Sequence, residues 1–124
     1  MKKLMLTLFL AAFTFVVHAQ IKTVAIQTSA VCGECKKRLE RDLSFEKGVK
    51  SVNLDLDTKV LNIAYLDAKT NPNKLRLRVT KVGYHADSLF RDPKAYEKLD
   101  ACCKEEAHPE MKHYTPPKKK GKGN

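Results

Sequence analysis

Beyond residue 20 the apolar positions of this chain follow two periods, two and about 3.6, and the switches between them mark its elements. Residues 21–28 are rich in β-branched side chains and predict a strand. A short loop over 29–31 leads to a helical stretch over 34–45. Leu39 and Leu43 share one face of it, Lys36, Lys37, Arg38, Glu40 and Arg41 cover the others, and Gly48 stops the run. Val52, Leu54 and Leu56 then alternate with polar residues, Asp57-Thr58-Lys59 makes a turn, and Leu61, Ile63 and Tyr65 alternate on the return, which is a hairpin. Asn71-Pro72 opens a second helix with Pro72 at its first position. Leu75, Val79 and Val82 form its apolar stripe and Gly83 ends it. A last short strand is expected over 84–90. The order βαββαβ predicts an α+β, ferredoxin-like sandwich, with a four-stranded antiparallel sheet carrying two helices on one face.

Two further segments flank this unit. Asp92-Pro93 reads as the N-cap and first position of an appended C-terminal helix running from Lys94 to about Ala107, with Tyr96, Leu99 and Cys103 on one face and Pro109 beyond its end. Ahead of the unit, Lys2 and Lys3 precede an apolar run from Leu4 to Val17 broken only by Thr7 and Thr14, and Val17-His18-Ala19 offers small residues for cleavage after Ala19. This is the layout of a secretory signal, and the run is short for a membrane span of about 20 residues. The expected division is a signal peptide over 1–19, the βαββαβ domain over 20–91, the appended helix with its cysteine pair over 92–107, and a basic, disordered tail over 108–124. After cleavage the protein is expected in the periplasm, a monomer with no stable membrane insertion.

Charge changes this picture little. The whole chain carries 24 Lys+Arg against 14 Asp+Glu, but Lys118, Lys119, Lys120 and Lys122 crowd at the end and the other lysines and arginines are spread among acids. Together with export, this argues against a nucleic-acid partner and points to solubility or loose attraction to an acidic surface. Cysteine usage changes the picture more. All four cysteines fall after residue 19, where an oxidising compartment would favour disulfides. Neither pair reads as a staple, because Cys32 and Cys35 close a tiny loop and Cys102 and Cys103 are adjacent.

Cys32-Gly33-Glu34-Cys35 sits where the first strand gives way to a helix N-terminus, whose free N–H groups and dipole favour thiolate. Two converging thiolates suit Cu(I) or Hg(II), whereas Zn(II) asks for four ligands. A redox dithiol and half of a zinc site share the same spacing. At this point the chain resembles the heavy-metal-associated domain family. The resemblance rests on Cys32-Gly33-Glu34-Cys35, the helix from Lys36 to Leu43, Gly48-Val49, Ile63-Ala64-Tyr65 and Gly83-Tyr84-His85-Ala86. It implies Cys32 and Cys35 as ligands of one soft metal ion, Cu(I) foremost with Hg(II) or Zn(II) as alternatives. It also implies Tyr84 as an aromatic near the metal loop, with packing of the sheet end as its other reading. The implied partner is a metal-transporting membrane protein or another metal-binding protein, and the implied action is transfer by thiol exchange without enzymatic turnover. The family usually places a methionine two positions before the first cysteine; here that position is Ala30, which leaves less side chain beneath the loop.

Cys102 and Cys103 lie outside the resemblance. His108, Met111 and His113 stand nearby as further soft or borderline ligands. On a helix adjacent side chains point about 100° apart, so Cys103 is expected to pack inward with Leu99 while Cys102 points elsewhere. Three readings stay open: one of the pair joins the Cys32–Cys35 site, the pair makes its own site with His108 or His113, or a buried cysteine simply stands beside a free one. His85 reads as a surface residue. The rival function is a thiol–disulfide oxidoreductase using the same two cysteines, since Val31 to Lys36 resembles a thioredoxin active-site run. Against it, no Trp precedes the motif and the chain has too few helices. A third possibility is a partner-binding domain whose cysteines are incidental.

Overall fold

The computed structural model describes residues 19–109. The expected signal run and the basic tail with Met111 and His113 lie outside the described residues. Alternation and helical periodicity produce the elements they predict: β1 (Ile21–Gln27), α1 (Gly33–Ser44), β2 (Val49–Asp55), β3 (Val60–Leu66) and α2 (Pro72–Val82). The sheet has the order β1-β3-β2, antiparallel throughout, with Ile26 opposite Leu61 and Leu54 opposite the same residue from the other side. One face of the sheet gathers Ile26, Leu54, Leu61, Ile63 and Tyr65, all buried. On α1 the buried residues are Cys35, Leu39 and Leu43, a stripe at steps of four that seats the helix on the sheet and against α2. On α2, Leu75, Val79 and Val82 face inward, Asn71 caps the first turn by accepting from the Lys74 N–H, and Gly83 closes the helix at φ +115°.

The sheet has three strands among the described residues, not the expected four. Residues 84–90 make only isolated bridges, Thr28 with Ala86 and Ala86 with Leu89. Asp87 is the reason. It takes a left-handed φ of 50°, its backbone N–H donates to the Gln27 carbonyl at 2.9 Å, and its carboxylate accepts the Gln27 N–H at 2.9 Å. A side chain thus occupies the β1 donor that a fourth strand would have used, and the chain folds on itself between Ala86 and Leu89.

The appended helix is also shorter than periodicity predicted. α3 covers Pro93–Glu97 only, capped by the Asp92 carboxylate, and is followed by two 3₁₀ turns, Ala101–Cys103 and Glu105–Ala107. The break falls where Leu99 enters the core and Asp100 reaches Arg38 of α1 at 2.7 Å. The segment packs closely over the end of α2: a Cβ on Gly83 would stand 3.2 Å from the Ala95 backbone and the Leu99 side chain. No helix among the described residues is long and apolar enough to cross a membrane.

Candidate metal centre

The loop before α1 is buried and tied down. Thr28 donates its hydroxyl to the Lys59 carbonyl at 2.9 Å and accepts the Ala30 N–H at 3.3 Å; Ser29 accepts the His85 N–H at 2.9 Å. These bonds join the β2–β3 turn, the metal loop and the residues after α2. Ala30 is fully enclosed, and hydrogen bonds to Lys59 and from His85, with one inside the loop, support this segment where the resemblance implies a methionine. Cys32 then takes the N-cap position in extended conformation, and its side chain makes no capping bond, which leaves the sulfur for other work. Cys35 lies one turn into α1, on the same stripe as Leu39 and Leu43, and is fully buried.

The two sulfurs stand 3.2 Å apart, and none of the four cysteines is in a disulfide. This separation lies between a disulfide, about 2.05 Å, and the span across a linear two-coordinate ion with metal–sulfur bonds of about 2.3 Å each. Burial works to raise the Cys32 thiol, but the backbone N–H of Cys35, the thiols of Cys35 and Cys103 and the N–H of Glu34 outweigh it and hold Cys32 below the ordinary thiol value. The helix N-terminus therefore presents one accessible, thiolate-prone sulfur and one sealed sulfur behind it.

The C-terminal segment reaches this site. Cys103 is buried with its sulfur 3.8 Å from that of Cys32, and the sulfurs of Cys32, Cys102 and Cys103 all lie within 4.8 Å of one another. Cys103 points inward and Cys102 is exposed, as expected. The expectation that Cys102 is thereby turned away from the site does not hold: in a 3₁₀ turn side chains about 120° apart straddle a group placed between them, and Cys32 is that group. His108 is not part of the thiol cluster; its ring Nε2 lies 2.8 Å from the Cys102 carbonyl. His85 is buried rather than at the surface, with Nδ1 accepting the Arg91 N–H at 3.1 Å.

Tyr84 serves both of its readings. It is almost wholly enclosed at the sheet end, and its hydroxyl lies in reach of the Cys35 and Cys103 thiols without a hydrogen bond of good geometry. Burial first, then the Cys35 and Cys103 thiols, push its pKa far up, so the hydroxyl keeps its proton and stays a donor. Burial first, then the Cys35 thiol, also raise Cys103. Two residues escaped the sequence reading. Arg38, three residues after Cys35, brings a positive charge to Tyr84 and Cys103; its helical spacing was a signal. Asp100, which holds Arg38, gave none.

The heavy-metal-associated domain pattern matches residues 28–85, from the loop ahead of Cys32 to the residue after Tyr84. The mercuric transport protein periplasmic component of Acinetobacter calcoaceticus is 34% identical over 85 residues, which are 68% of this chain and 93% of that protein. The chain belongs to the heavy-metal-associated domain family. A copper-exporting P-type ATPase of Bacillus subtilis is 34% identical over 65 residues, 52% of this chain but 8% of the ATPase, so the likeness is confined to one small part of that protein. The crystal structure of oxidised MerP from Ralstonia metallidurans superposes with a TM-score of 0.52 at 25% identity, covering 54% of this chain and 94% of that one. Within the heavy-metal-associated domain family this fold and its two cysteines support binding and transfer of a soft metal ion. The residues from Asp92 to Ala107, with Cys102 and Cys103, lie beyond the matched span.

Proposed function

We propose that this chain is an exported carrier that binds one Cu(I) ion between Cys32 and Cys35 and passes it to a partner's thiols by ligand exchange. The observation that carries the reading is the pair of free sulfurs 3.2 Å apart at the N-terminus of α1. A d¹⁰ monovalent ion accepts two sulfurs, and the pair opens around it on the side of the partly exposed Cys32. An incoming thiol joins the ion before an outgoing one leaves, so no covalent catalysis is involved, and no general base, oxyanion donor or phosphate loop flanks the cysteines among the described residues. The Tyr84 hydroxyl gains an acceptor when the thiols beside it become metal-bound thiolates. Export is supported by the Lys2-Lys3, apolar and Val17-His18-Ala19 sequence and by the periplasmic relative. The partner on this reading is a metal-transporting membrane protein or another metal-binding protein.

One observation favours a second reading. An accessible, thiolate-prone Cys32 ahead of a sealed Cys35 is also how a dithiol oxidoreductase arranges its attacking and resolving thiols. Titration of the reduced full chain with Cu(I) against a chelator, beside an insulin-reduction assay in glutathione buffer, separates the two. The carrier takes up one equivalent and does not turn over insulin. Catalytic insulin reduction lost on Cys32→Ser overturns it.

A further inference from the structure

We propose that Cys103, delivered by the C-terminal segment, is a third sulfur ligand, so that the bound Cu(I) is trigonal and the domain holds its cargo under a built-in clasp. The proposal rests on Cys32 and Cys35 as ligands and adds to them a residue outside the matched domain.

The geometry carries it. Metal–sulfur bonds of about 2.3 Å set in a trigonal plane separate the sulfurs by about 4 Å, whereas a linear pair is about 4.6 Å apart. The Cys32 and Cys103 sulfurs already stand 3.8 Å apart and the Cys32 and Cys35 sulfurs 3.2 Å apart. A trigonal ion asks for almost no change at the first pair and a smaller opening than a linear ion at the second. The placement is built rather than incidental. Leu99 is anchored in the core, Asp100 pairs with Arg38 at 2.7 Å, and the Cys103 N–H donates to the Asp100 carbonyl at 2.8 Å. Further along, Glu105 pairs with Arg91 at 2.9 Å, and the Tyr96 hydroxyl donates to Glu106 at 2.6 Å. Leu99 and the Asp100–Arg38 pair fasten the segment to the core and to α1, and the remaining contacts fix the segment's own shape.

A buried cysteine that merely fills space would face apolar side chains. Cys103 instead faces two other thiols and the buried Tyr84 hydroxyl, which has no hydrogen-bond partner. An orphaned donor enclosed beside the Cys35 and Cys103 sulfurs is satisfied when those sulfurs carry negative charge, which is what an ion between them would bring. Cys102 stands at the exposed rim, its sulfur within 4.8 Å of those of Cys32 and Cys103, while Cys35 lies 3.2 Å from Cys32 on the buried side; the trigonal set takes the buried sulfur rather than the exposed one.

The test is X-ray absorption at the copper edge on the reduced full chain with one equivalent of Cu(I). The parent is expected to show three sulfurs around copper, Cys103→Val two, and Cys102→Ser three. Valine is close in size to cysteine and apolar, and a thermal melt checks that the variant is folded; the parent measurement stands whatever that melt shows. Two sulfurs in the parent, or a drop in Cys102→Ser instead of Cys103→Val, would overturn the proposal. Its failure is distinct from failure of the carrier reading: a two-sulfur parent that loses copper on Cys32→Ser leaves the carrier intact, while Cys32→Ser and Cys35→Ser variants that keep parental affinity remove the basis of both.

Discussion

Cys32 is partly exposed and Cys35 is sealed, and on the carrier reading that difference in access sets the order in which the sulfurs meet an ion or a partner. Other single residues around the loop act through protons. His85 is buried, its Nδ1 accepts the Arg91 N–H, and burial, then the Arg91 charge, lower its basicity, with Glu105 opposing. Protonation would break the Arg91 bond and place a charge indoors. The unfolded histidine titrates near 6.5, so above that pH neither state gains a proton and the fold keeps its full stability. As the pH falls through 6.5 the unfolded chain binds the proton first, and stability declines until the folded pKa, below 6.5, is passed. The parent is expected to melt at a lower temperature at pH 5.5 than at pH 7.5, and His85→Gln, which keeps an acceptor but cannot charge, to show a smaller difference. Equal pH dependence in the two proteins would contradict this role for His85.

Among the elements, Gly83 ends α2 directly beneath the C-terminal segment. At φ +115°, and with 3.2 Å to Ala95 and Leu99, an alanine there meets both backbone strain and a steric conflict. Gly83→Ala is expected to destabilise by about 1–2 kcal/mol or more, read as a lower urea midpoint. Leu99→Ala removes the segment's buried anchor and is expected to cost about 2–5 kcal/mol on the same measure. If the segment did not pack on the core, Leu99→Ala would leave the midpoint within about 0.5 kcal/mol of the parent's, as for a surface change. The elements also show where sequence reading succeeded. The hairpin was legible because alternation from Val52 to Tyr65 has one solution that buries Leu54, Leu61 and Ile63 together. Both helices were legible from their stripes and from Asn71 and Gly83. The fourth strand was misread because apolar residues at 84, 86 and 89 carry no sign that Asp87 would bond back to Gln27. The break in the appended helix was hidden for the same kind of reason: it depends on Arg38, 62 residues away from Asp100.

On the scale of the whole molecule, every structural device converges on the end of the sheet where the chain leaves β1. The metal loop, the residues after α2 and the C-terminal 3₁₀ turn meet there, while two of the exposed apolar side chains, Phe45 just past the end of α1 and Leu77 on α2, belong to the helices. The Cys32–Cys35 pair was readable from spacing and position. The approach of Cys102 and Cys103 was open in the sequence, since the return of the chain depends on long-range anchoring by Leu99 and Asp100. The carrier reading rests on those two spaced cysteines, and competition for Cu(I) between the reduced full chain and a chromogenic chelator tests it most directly. Cys32→Ser and Cys35→Ser are each expected to weaken binding by more than about 100-fold, beyond the loss typical of outer contacts to a metal site; parental affinity in either variant would contradict it.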